Sequence, residues 1–164
     1  MSEQQTDEHE LWVESYQGEV LGEILFGLMA EREKDADHRR QLEILTLLER
    51  ATKELAEPVF ERHEFDRGDT AATVKTATEL AKGLAGVTWE EFLTSFGPIT
   101  AEFLAKYRKL VELATDQRDR EVAVAYVAHE EALAAFARRA LGQETGEPLQ
   151  LILALPHVAA ARAA

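Results

Sequence analysis

The chain has 164 residues, 46% hydrophobic and 30% charged, with a formal net charge of −13 and no cysteine. That length fits one domain with a full core, and the missing cysteine rules out disulfides, thiolate zinc sites, iron–sulfur clusters and cysteine nucleophiles. The acid surplus opposes a phosphate backbone, no apolar run spans a bilayer, and the polar start MSEQQTDEHE lacks the parts of a signal peptide, so the expectation is a cytoplasmic protein without nucleic-acid or membrane partners.

Glycine and proline are sparse and fall between long segments rich in Ala, Leu, Glu, Lys and Arg, the pattern of helices joined by short turns. The first long helix is expected from about residue 8 to residue 33, followed by the capping turn Lys34-Asp35-Ala36-Asp37. A second helix then runs from His38 to about Glu57, antiparallel to the first because the connection is short. Pro58 is expected to kink or end it, and Glu64-Phe65-Asp66-Arg67-Gly68-Asp69 reads as a loop. A smaller helix follows from Thr70 to Leu84, and Thr88-Trp89-Glu90-Glu91 has the form of a capping box. Gly97-Pro98 separates that short helix from a third long one reaching about Leu113. The turn Thr115-Asp116-Gln117-Arg118-Asp119 leads into a fourth, from about Arg120 to Leu141. The apolar segment from Leu149 to Leu155 calls for burial as a fifth short helix or at a subunit contact, with Pro156 closing it. The reading is a single all-α domain over 1–164, with a core bundle at about 8–142 and a C-terminal segment at 147–164.

Projected at about 100° per residue, the fourth helix carries Val122, Tyr126, His129, Leu133 and Phe136 on one stripe, so His129 lies amid apolar neighbours. Glu130 sits on the flank of that stripe, and Glu131 faces out. In the second helix Glu49 and Thr52 share a row with Leu42, Leu45, Ala56 and Phe60. A lone carboxylate there needs a cation, a hydrogen-bond partner or a proton. The first helix is apolar nearly all round and is interrupted by Glu19 and Glu23. The glycines beside them, Gly18, Gly22 and Gly27, read as helix-packing positions. On the third helix Tyr107 points inward, whereas Glu102 lies off the stripe beside Lys106 as a surface ion pair. The other histidines, His9, His38, His63 and His157, fall at helix ends or loops and are expected in solvent.

Two helical hairpins joined by a long helical crossover resemble the ferritin-like superfamily. Gly18-Glu19 with Phe26 and Ala30 looks like the first-helix signature of its rubrerythrin-type members. Glu49-Arg50-Ala51-Thr52 and Tyr126-Val127-Ala128-His129 fall where the family places a Glu-x-x-His on the second and fourth helices. The resemblance implies a ferritin-like antiparallel four-helix bundle holding iron or manganese. The full motif is degenerate: Thr52 stands for one histidine, Tyr126 for one glutamate, and Glu102 is poorly aimed. The ligand set implied is therefore Glu19, Glu49 and His129, with Glu23 or Glu130 as helpers and Tyr126 or Glu130 orienting the imidazole.

Two readings stay open. In one, a core iron or manganese ion supports oxidoreductase-type chemistry with oxygen or peroxide. In the other, no metal is bound, Glu, His and Tyr satisfy one another, and the bundle is a ligand-binding or protein-interaction scaffold. A homodimer through the first helix or the Leu149 to Leu155 segment is expected in that case. No nucleophile elbow or phosphate loop is present to support hydrolysis.

Overall fold

The computed structural model describes residues 2–164, and among them every regular element is helical. Four long helices form the body: α1 (Glu3–Arg32), α2 (Ala36–His63), α5 (Phe96–Leu113) and α6 (Gln117–Ala140). Residues 64–95 carry α3 (Thr70–Gly83), a 3₁₀ turn (Leu84–Gly86) and α4 (Trp89–Thr94), and the C-terminus adds α7 (Gln150–Leu153) and α8 (Pro156–Ala163). No described helix is long and apolar enough to cross a membrane.

Side-chain pairs set the directions of the helices. Glu23 meets Arg50 while Tyr16 meets Glu57, so α1 and α2 are antiparallel. Phe96 packs on Phe136 while Tyr107 packs on Tyr126, so α5 and α6 are antiparallel as well. Tyr107 reaches Glu19 and Phe96 reaches Phe26, which sets α5 against α1 in opposite directions. Thr52 meets His129 and Arg62 meets Asp119, which does the same for α2 and α6. It follows that α2 and α5 run parallel, and the crossover must return along the bundle to permit it. The crossover helix α3 does so against α1, held at one end by Gln17 donating to the Arg67 carbonyl and at the other by Arg32 donating to the Ala81 carbonyl.

Several boundaries differ from the sequence reading for local reasons. The first helix begins at Glu3 because Ser2 and Gln5 form a reciprocal capping box. The second continues through Pro58 to His63. The carbonyl that Pro58 leaves without a donor belongs to Glu54, and both residues are exposed, so its loss is not a buried one. The capping box at Thr88 and Glu91 forms as read. Pro156 starts a helix instead of closing one, occupying its first turn where the missing N–H costs nothing. Through α7 and α8 the C-terminal segment covers the bundle with Ile152 and Val158, both fully buried.

The interior divides in two. One half is built from hydrocarbon and phenyl rings, including Phe26, Leu45, Phe92, Phe96, Leu133 and Phe136. The other packs Phe60 with Trp12, Tyr16, Tyr107 and Tyr126, the last four carrying a polar tip on an apolar body. The candidate site lies where the halves meet.

Candidate metal centre

The inward rows of three helices bring Glu19 of α1, Glu49 of α2 and His129 of α6 together, all buried. One ligand atom from each lies within 4.8 Å of the others. Glu49 Oε1 is 3.4 Å from His129 Nε2, and Glu19 Oε2 is 3.6 Å from His129 Nδ1. Glu130 joins from the next position on α6, with Oε1 4.0 Å from His129 Nε2. Gly22 makes room for this meeting, because a methyl group there would overlap the Glu49 carboxylate. For that glycine the close approach serves a buried acid and not only helix packing.

The structure separates the other sequence candidates. Glu23 stays outside the cluster, bridged by Arg50 at 2.8 Å and by Lys53, and those cations hold its carboxyl below the usual range against the opposing effect of burial. Glu102 is exposed and pairs with Lys106 at 3.3 Å. Tyr107 donates to Glu19 Oε1 at 3.3 Å. Tyr126 is fully buried beside Tyr107, yet its hydroxyl has no partner among the described residues and does not orient His129.

Thr52 orients it instead: His129 Nδ1 lies 2.8 Å from Thr52 Oγ1. The same hydroxyl is 2.9 Å from Nε2 of His157, a half-buried residue of α8 and not the solvent-exposed one expected. Burial, and then the charge of His129, lower the His157 ring to about 4, so it is neutral near pH 7. A single hydroxyl proton can point to either ring. When it points to His157, His129 Nδ1–H donates to Thr52 and the His129 Nε2 lone pair faces the Glu49 and Glu130 carboxylates, the tautomer a ligand needs. His9 and His38, both partly exposed, stack on Phe65 and Trp89 at centroid distances of 4.1 and 4.2 Å.

Electrostatically the cluster has an excess of acid. Burial, and then the like charge of Glu49, push Glu19 well above the ordinary carboxylate range. Burial pushes Glu130 up to about 7, although His129 pulls it back. For His129 burial opposes the charged ring, but the Glu49 and Glu130 carboxylates outweigh it and raise the ring above ordinary histidine. Three carboxyl groups thus face one imidazole, and Glu19 Oε2 and Glu130 Oε2 have no hydrogen-bond partner among the described residues. A buried oxygen in that state costs about 1–3 kcal/mol.

No protein-family model, no curated protein and no solved structure matches the chain. What the residues can do is therefore read from their own chemistry. Carboxylate and imidazole donors suit iron, manganese or zinc. Ligands bound at about 2.1 Å in tetrahedral or octahedral geometry lie roughly 3.0–3.4 Å from one another, close to the 3.4 Å from Glu49 Oε1 to His129 Nε2, whereas Glu19 Oε2 is nearest the other ring nitrogen and joins the group within 4.8 Å. An unpaired Glu19 oxygen facing the same imidazole fits a cation as well. The buried group of Glu19, Glu49 and His129 can hold a metal ion.

A second buried acid escaped the sequence reading, which took Asp119 as part of a capping turn. Asp119 is fully buried, bound by Arg62 and, at 2.5 Å, by His63 Nε2. The signal was present in the spacing: Asp119 extends the inward row of Ala123 and Tyr126 by one turn. No comparable signal marks His157, because only the docking of α8 carries it to Thr52.

Proposed function

We propose that the chain is a ferritin-like bundle that holds one iron or manganese ion through Glu19, Glu49 and His129 and serves oxygen- or peroxide-dependent oxidoreductase chemistry. The observation that carries the reading is the convergence of these three buried side chains from three helices, with a surplus of carboxylate that a divalent cation offsets. The parallel course of α2 and α5, linked by a helical crossover, supports the ferritin-like assignment. When bound, iron or manganese would supply redox chemistry at a position open to a small oxidant. Thr52 would hold the imidazole in its ligating tautomer, and Tyr107 donates to one Glu19 oxygen. Tyr107, Tyr126 and Thr52 occupy positions where a two-metal site would require further carboxylate and imidazole, so the assignment is to one ion. Elemental analysis of protein prepared without a histidine tag should find about one equivalent of iron or manganese, and less than about a tenth in His129→Ala and Glu49→Ala. Equal metal content in all three proteins would overturn the reading.

The same substitutions of Thr52 and Tyr126 for ligands favour a second reading, a metal-free scaffold that binds a ligand or a partner, including a second copy of this chain. On that reading neither a chelator nor added iron or manganese moves the melting temperature, whereas an ion at 100 times its Kd would add about 2.7 kcal/mol.

A further inference from the structure

A cavity of about 400 Å³ runs inward between α1 and α5, under the crossover, and ends at Glu19, Glu49 and Glu130. At about 30 Å³ per water this is room for roughly 13 water molecules. Its walls are apolar, with Leu25 on α1, Leu84 at the end of α3, and Phe96 and Phe103 on α5. Leu80 and Ile99 flank the mouth, 45% and 51% exposed. No lysine or arginine lines the cavity.

The inner end differs from the walls in both charge and hydrogen bonding. Glu19 and Glu130 line that end, and their Oε2 atoms lie buried beside it without partners among the described residues. Glu130 lies outside the three-ligand metal group, so its carboxylate is left over when that group is occupied. A hydrophobic tunnel whose inner end carries three carboxyl groups, with the Tyr107 hydroxyl on Glu19 and one imidazole behind them, selects a molecule with an apolar body and a cationic end. A carboxylic acid of the same length would be repelled by the floor, and a hydrocarbon would leave the oxygens unpaired.

We propose that this cavity is a binding site for a small hydrophobic primary amine, its alkyl or aryl body between α1 and α5 and its ammonium group against Glu130. The site shares its floor with the metal centre and does not require it, so the two assignments stand or fall separately.

Calorimetric titration of the full chain, both metal-loaded and chelated, with n-hexylammonium, hexan-1-ol and hexanoate tests the assignment. Hexylammonium should bind with one equivalent in both preparations, roughly tenfold tighter than hexan-1-ol, and hexanoate should bind weakest. Glu130→Gln should lower hexylammonium affinity roughly tenfold and leave hexan-1-ol unchanged. On the unaltered protein, methyl resonances of Leu25, Leu84 and Leu133 should shift as the amine is added. Hexanoate binding as tightly as hexylammonium, an unaltered amine affinity in Glu130→Gln, or shifts confined to other methyl groups would each overturn the proposal. Metal content in the same samples reports on the metal centre independently.

Discussion

Asp119 and the Glu19–Glu49–Glu130 cluster are both buried acid between helices, but they are balanced differently. Asp119 receives an arginine and a histidine, each partly exposed, so its charge is neutralised by groups that keep some solvation. The cluster has three carboxyl groups, one imidazole and two oxygens without partners. The first arrangement is self-sufficient and ties α2 to α6. The second is complete only with a proton, a cation or a ligand, and that deficit separates a structural ion pair from a candidate site.

Substitution at each place should move stability in opposite directions. The largest change is expected from Asp119→Ala, which leaves Arg62 and His63 without their shared anion. A loss of about 3 kcal/mol in denaturant unfolding is expected, the low end for a broken buried pair because both cations retain access to water. Glu130→Gln in the metal-free protein should instead raise stability near pH 7 by about 2 kcal/mol, since it removes a carboxyl that burial opposes charging. A loss of stability there would place Glu130 with Asp119 as a structural acid.

The smallest effect concerns the link from the cluster to α8. The His157 ring titrates near 4 in the fold and near 6.5 when unfolded. Between those values the unfolded chain binds more protons, so the contribution of His157 is fully present above pH 6.5 and is lost as pH falls towards 4. Partial exposure of the ring limits the loss to about 1–2 kcal/mol. His157→Gln should flatten the stability profile across that window, measured by unfolding from pH 7.5 to pH 4. An unchanged slope would remove His157 from the Thr52 network.

Helix order and most caps were legible because they depend on neighbours along the chain. The Thr88–Glu91 capping box, the Asp35 cap and the inward rows of α2 and α6 follow from spacing alone. So does the burial of Glu49 and His129, since a residue in an apolar stripe goes where the stripe goes. The same reasoning left Glu19 and Glu23 undivided. On a helix that is apolar nearly all round, only the positions of Arg50 and Lys53 across the interface decide which acid is neutralised at the surface.

By itself, then, the sequence determined an all-helical chain, two hairpins with a helical crossover, and Glu49 and His129 facing inward at mid-bundle. Periodicity carries that information, for a helix of known phase exposes known faces. Tertiary structure alone decided that Thr52 and His157 hold the imidazole, that Asp119 is sealed by Arg62, and that an apolar passage reaches the acids. Each of those contacts joins residues more than fifty positions apart, and distances of that kind are fixed by how helix faces pack and not by any local preference of the chain.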